Sequence, residues 1–95
     1  MVVGICRLEL LIPENMSLKG KRKVVKSLIQ RVRNRFNVSI AEVEEHDVWQ
    51  KAVLGFSLVG NDHSFVNSCL DKVLNHIDSM QVGELRDAEI EMIHI

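Results

Sequence analysis

Apolar residues in this chain recur at every second position, then at every third or fourth, then at every second again, and the cycle runs twice. This alternation of spacing constrains the fold more than any other feature. A period of 2 belongs to strands and a period of 3.6 to helices. Residues 2–12 read as a strand, with Cys6, Leu8, Leu10 and Ile12 on one face and Arg7 and Glu9 on the other. Residues 13–16 interrupt it. Ser17 is a good helix N-cap, and Leu18, Val25, Leu28, Ile29, Val32 and Phe36 follow at helical spacing. Asn37, which tolerates a left-handed conformation, is expected to close that helix.

Residues 38–45 and 50–60 read as two further strands, joined by a hairpin at Glu45, His46 and Asp47. Gly60, Asn61 and Asp62 make the next break, and Asp62 or Ser64 can cap a second helix. That helix carries Val66, Cys69, Leu70, Val73, Leu74 and Ile77 on one face. After Gly83 a last strand is predicted over residues 88–95, where Ala88, Ile90 and Met92 alternate with Glu89, Glu91 and Ile93.

The order is therefore β-α-β-β-α-β, the split βαβ arrangement of ferredoxin-like domains. It predicts a two-layer α/β sandwich of the α+β type. A four-stranded antiparallel sheet would carry both helices on one face, as a single domain over residues 1–95. Val3, Ile5, Val38, Ile40, Ile93 and Ile95 are assigned to the uncovered face. They are more apolar than a solvated face requires, so the chain is expected to self-associate as a homodimer or to meet a protein partner there.

Composition narrows the function classes. With 46% hydrophobic residues, one Pro and five Gly, the chain is neither disordered nor low in complexity. Cys6 and Cys69 each lie in an apolar run and read as small buried hydrophobes of a reducing compartment. No apolar run is long enough for a membrane span, and no basic leader precedes the first apolar segment. The expected location is cytoplasmic.

Net charge is −1, but it is unevenly placed. Residues 1–35 hold nine basic and two acidic residues, and residues 36–95 hold three basic and eleven acidic ones. Eight of the twelve Lys and Arg residues fall within residues 17–35, with no acid among them. On a helical wheel Lys19, Arg22, Lys23, Lys26 and Arg33 share one arc beside the apolar stripe. Arg31 and Arg35 fall on the opposite flank, and Lys21 falls near the stripe's edge. Lys19–Lys23, Arg22–Lys26 and Arg31–Arg35 are like-charge pairs at i,i+4, each costing about 0.2–0.5 kcal/mol in an isolated helix. A cationic first turn also opposes the helix dipole. Such a face suits three uses: a solvated surface balancing the later acids, a contact for RNA phosphates, or a contact for an acidic protein. If RNA is the ligand, these side chains supply affinity without sequence readout. With no Tyr and three Phe in core or strand positions, a sheet that stacks bases on aromatics is not expected.

Several stretches resemble one family of small bacterial proteins, the YlxP-like family, a class of unknown function. They are Ser17-Leu18-Lys19 with Lys21-Arg22, Val25-Lys26-Ser27-Leu28, Arg33-Asn34-Arg35-Phe36-Asn37-Val38 and Ala41-Glu42-Val43. Asp47 and the run Trp49-Gln50, Ala52, Leu54-Gly55 complete the match, which spans nearly the whole chain. Gly20 departs from it, since the family more often has an acid there, which would form a capping box with Ser17. The resemblance implies a ferredoxin-like fold and no established enzymatic activity. Through neighbouring genes for translation and ribosome maturation, it also implies an association with RNA or the ribosome. Together with the charge run, it leads to the expectation of a non-enzymatic RNA-binding accessory factor. A homodimeric protein-interaction adaptor is the alternative.

Other polar clusters promise less. Glu42 and Glu44, two residues apart, are expected on one strand face, away from Ala41 and Val43. A hairpin tip offers no desolvated pocket for acid–base work. Asp47 reads as a turn former and Trp49 as a packing anchor. His46, His63, His76 and His94 share no metal-ligand spacing. There is no phosphate-binding glycine motif and no nucleophile elbow. The expectation is no catalytic residue, no metal and no cofactor.

Overall fold

A computed structural model of the chain describes residues 1–13 and 16–95. The elements are β1 (Val2–Leu11), α1 (Leu18–Arg35), β2 (Ser39–Glu44), β3 (Lys51–Gly60), α2 (His63–Ser79) and β4 (Glu84–His94). The strands form one antiparallel sheet in the order β2-β3-β1-β4, so β2 and β4 are its edges. The β-α-β-β-α-β order read from the sequence is the order of the fold. The break expected at residues 13–16 lies partly outside the described residues.

Alternation along β1 places Cys6, Leu8 and Leu10 in the core, each at most 1% exposed. Val25, Leu28 and Val32 of α1 and Val66, Leu70, Val73 and Ile77 of α2 close over that face. The close approach of α2 depends on Gly4. A Cβ there would lie 2.6 Å from Val66 Cγ1 and 3.0 Å from Leu70 Cδ1, so any side chain would push the helix off the sheet.

The caps follow local chemistry. Ser17 Oγ accepts a hydrogen bond from the Gly20 N–H at 3.0 Å, and an Asp62 carboxylate oxygen accepts from the Phe65 N–H at 2.9 Å. Asp62, rather than Ser64, is therefore the cap of α2. Asn37 does not adopt the left-handed conformation expected of it. The chain leaves α1 by extending at Phe36 (φ −128°, ψ 144°), whose N–H still donates to the Val32 carbonyl.

Two bulges change the expected strand faces. Glu42 pairs with Leu54 and Glu44 with Val53, which leaves Val43 as an extra residue in β2. Glu42 and Glu44 therefore do not share a face: Glu42 turns under α1, and Glu44 lies on the uncovered side with Arg7. Gly55 accommodates the bulge, since Val43 Cγ1 lies 3.2 Å from where a Cβ would stand. The second bulge, around Asp87 (φ 48°), lets β4 begin at Glu84 rather than Ala88.

The uncovered sheet face is also not the one assembled from the sequence. Ile40, 2% exposed, sits in the core, and Val38 packs against that core. Val3, Ile5 and Ile93 do lie on the open side, joined by Val59, which is 64% exposed. The other half of that face is charged. Arg7 donates to both oxygens of Glu44 across β3, at 3.2 and 2.8 Å, and Lys51 Nζ lies 3.1 Å from Glu9 Oε1. These cations hold the Glu44 and Glu9 carboxyls below the usual carboxylate range, chiefly by direct hydrogen bonding.

Candidate nucleic-acid interface

The basic run separates into four sets of side chains once α1 is packed. Lys21, expected near the edge of the apolar stripe, is 1% exposed. It follows the same helical face as Val25, Leu28 and Val32 and enters the space beneath the β2–β3 turn. There its Nζ lies 2.9 Å from Glu42 Oε2 and donates to the Glu45 carbonyl. The same carbonyl accepts from the Val48 N–H at 3.1 Å, so one ammonium anchors the turn.

Lys19, Arg22, Lys23 and Lys26 stay exposed, and among the described residues none of them has an ion-pair partner. The β2 acid on their side of the sheet, Glu42, is already engaged by Lys21, and Glu44 lies on the opposite face with Arg7. Arg33 belongs to the same arc but is tethered, its guanidinium donating to the Ile40 carbonyl at 3.0 Å. That contact satisfies one acceptor on the outer edge of β2.

Arg31 and Arg35 lie on the other flank, as the wheel requires, toward α2. Arg35 Nη1 is 3.4 Å from His76 Nδ1, and its guanidinium lies 5.8 Å from the centre of the Phe36 ring. Burial first, then Arg35 and Arg31, hold the His76 imidazole below its ordinary pKa. The structure therefore does not bring all seven expected residues into one patch. Lys19, Arg22, Lys23, Lys26 and Arg33 form one surface, while Arg31 and Arg35 border another.

A groove that the sequence did not suggest runs beside the first surface. It lies between α1 and the edge strand β2 and encloses about 470 Å³. Val25, Ile29, Ile40 and Ala41 make its apolar lining, Arg22, Lys26, Gln30 and Arg33 line its α1 side, and Glu42, paired with Lys21, lines its β2 side. Ile29 lay on the wheel beside the cations, but only the placement of Ile40 under α1 makes a groove of it.

No described helix is long and apolar enough to cross a membrane, and no cluster of three or more metal-ligating side chains occurs among the described residues. Burial pushes the Cys6 thiol up to about 11, which keeps it protonated and unreactive.

By architecture this is a ferredoxin-like sandwich. The de novo designed protein Foldit4 superposes with a TM-score of 0.53 at 12% identity, over 99% of this chain and 97% of its own. The designed ferredoxin-fold protein LFR1 gives the same TM-score at 13% identity, over 98% and 83%. Sequence places the chain more closely, for residues 3–90 match the family described as "Protein of unknown function (DUF503)". The chain belongs to that family. It is 38% identical over 78 residues to the uncharacterized protein YlxP of Bacillus subtilis (strain 168), covering 82% of this chain and 85% of that protein.

Proposed function

We propose that this protein is a non-enzymatic RNA-binding accessory factor of translation or ribosome maturation, which holds RNA phosphates on the outer face of α1. One observation carries the reading. Lys19, Arg22, Lys23 and Lys26 remain exposed and unpaired among the described residues, while Glu42, the β2 acid on their side of the sheet, serves Lys21. A merely solvated basic face would draw on such an acid, because opposite charges at close range stabilise it and like charges do not. The resemblance that links the family to translation genes supplies the class of RNA.

A salt titration tests this. Each phosphate neutralised on a single strand contributes about 0.7 to the slope of log K against log salt, so contacts by these four cations and Arg33 give a slope of about 3.5. Fluorescence anisotropy of a labelled RNA oligonucleotide between low and physiological salt should show that dependence. A slope near zero, or no binding at low salt, rejects the proposal.

The open sheet face favours a second reading, a homodimeric adaptor. Val3, Ile5, Val59 and Ile93 leave an apolar end on that face, with Val59 64% and Ile93 37% exposed. Light scattering across a micromolar dilution series should give twice the 10.8 kDa chain mass. A constant 10.8 kDa rejects the dimer.

A further inference from the structure

The groove between α1 and β2 points to more than phosphate contact. Building on the RNA-binding reading, we infer that the ligand is single-stranded RNA, with an unstacked base seated in this groove. The groove combines three features. Its floor is apolar, with half-buried Ile29 over the buried Val25 and Ile40, and can meet the face of a base, while Gln30 and the Lys21-paired Glu42 add polar groups to the lining. Its α1 side carries Arg22, Lys26 and Arg33, spread over twelve residues and so about 16 Å of helix, which follows a strand rather than a point anion.

The third feature is the backbone of an edge strand. The Ile40 carbonyl points outward to Arg33. In an antiparallel strand the N–H and C=O of one residue point the same way, so the Ile40 N–H faces the same outer edge. It is a donor for the edge of a base, next to the apolar lining. Phosphates on Arg22 and Lys26 would hold the strand while the base turns inward. Single-stranded elements are read in this manner because their bases can be splayed out, whereas duplexes present phosphates and closed stacks.

Charge alone favours the opposite preference, since a duplex offers more phosphates per length and a steeper salt dependence. A preference for single strands therefore isolates the groove from the charges. The experiment compares, at one salt concentration, a 12-nucleotide RNA without self-complementarity, the duplex with its complement, and polyglutamate of equal charge, lengths being on the order of the helix face.

The single strand is expected to bind about tenfold tighter than the duplex. Ile29→Asn removes apolar lining without changing charge, so it should bring the single strand down to the duplex and leave the duplex where it was. Ile29→Ala, with circular dichroism for both variants, separates loss of the lining from loss of the fold. Equal or tighter duplex binding that remains salt-dependent overturns this inference and leaves the RNA reading standing. Polyglutamate bound as tightly as RNA points to an acidic protein segment and overturns both. Failure of every probe to bind at low salt also overturns both.

Discussion

Replacing Lys21 with Ala lowers stability by about 3–5 kcal/mol, the cost of removing one partner of a buried ion pair. Lys21 is 1% exposed and its partner Glu42 is 16% exposed. The substitution leaves a largely buried carboxylate with no cation and a void where three methylenes and the ammonium were. It also releases the Glu45 carbonyl, to which Lys21 Nζ donates at the start of the turn, where Glu45 holds a φ of 60°. For 95 residues the whole stability is about 5–14 kcal/mol, so a large share is at stake. Urea denaturation should show a lower midpoint with an unchanged slope, and the melting temperature should fall by on the order of 15 °C. The double variant Lys21→Met/Glu42→Leu should recover most of the loss, because apolar replacement of a buried pair is often neutral. A loss under about 1 kcal/mol for Lys21→Ala would contradict the burial of the pair.

The neighbours of Lys21 in sequence behave in the opposite way. Reversing Arg22, Lys23 and Lys26 to Glu should abolish measurable RNA binding while leaving the fold intact. Three phosphate contacts are lost, which alone removes about 2 from the salt slope, and three carboxylates then repel the strand. All three side chains are exposed and turned away from Val25, Leu28 and Val32. Acids near the start of α1 also suit the helix dipole, where the native first turn has none. The unfolding free energy should stay within about 1 kcal/mol of the parent, since surface changes are each usually within about 0.5 kcal/mol. RNA bound as well by this variant as by the parent would show that α1 is a solvated face. The pair of experiments divides one basic run into a residue that holds the fold and residues that serve a ligand.

Much of this architecture was legible in the sequence, for reasons confined to single elements. Apolar spacing marked α1 and α2, because the helical period repeats over more than four turns in each. Ser17 was legible as a cap, and the second cap was narrowed to Asp62 or Ser64, since a side-chain oxygen at the helix start answers local N–H groups. The order of elements then sufficed for the two-layer class. Wheel geometry also placed Arg31 and Arg35 apart from Lys19, Arg22, Lys23, Lys26 and Arg33.

What depends on contacts between elements was not legible. The bulge at Val43 inserts one residue, and every face counted beyond it reverses, so Glu42 and Glu44 part company. The bulge at Asp87 hid the first half of β4 in the same way. A spacing of two assigns Val38 and Ile40 to one face but does not say which face the helices cover. The burial of Lys21 depends on Glu42 and Glu45, more than twenty residues away, which pay back its desolvation only once β2 is docked. Periodicity is a property of one element with its own backbone, and it determined the existence and order of the helices and strands. Charge pairing, strand register and the groove beside α1 are properties of two elements at a distance, and only the packed tertiary structure decided them.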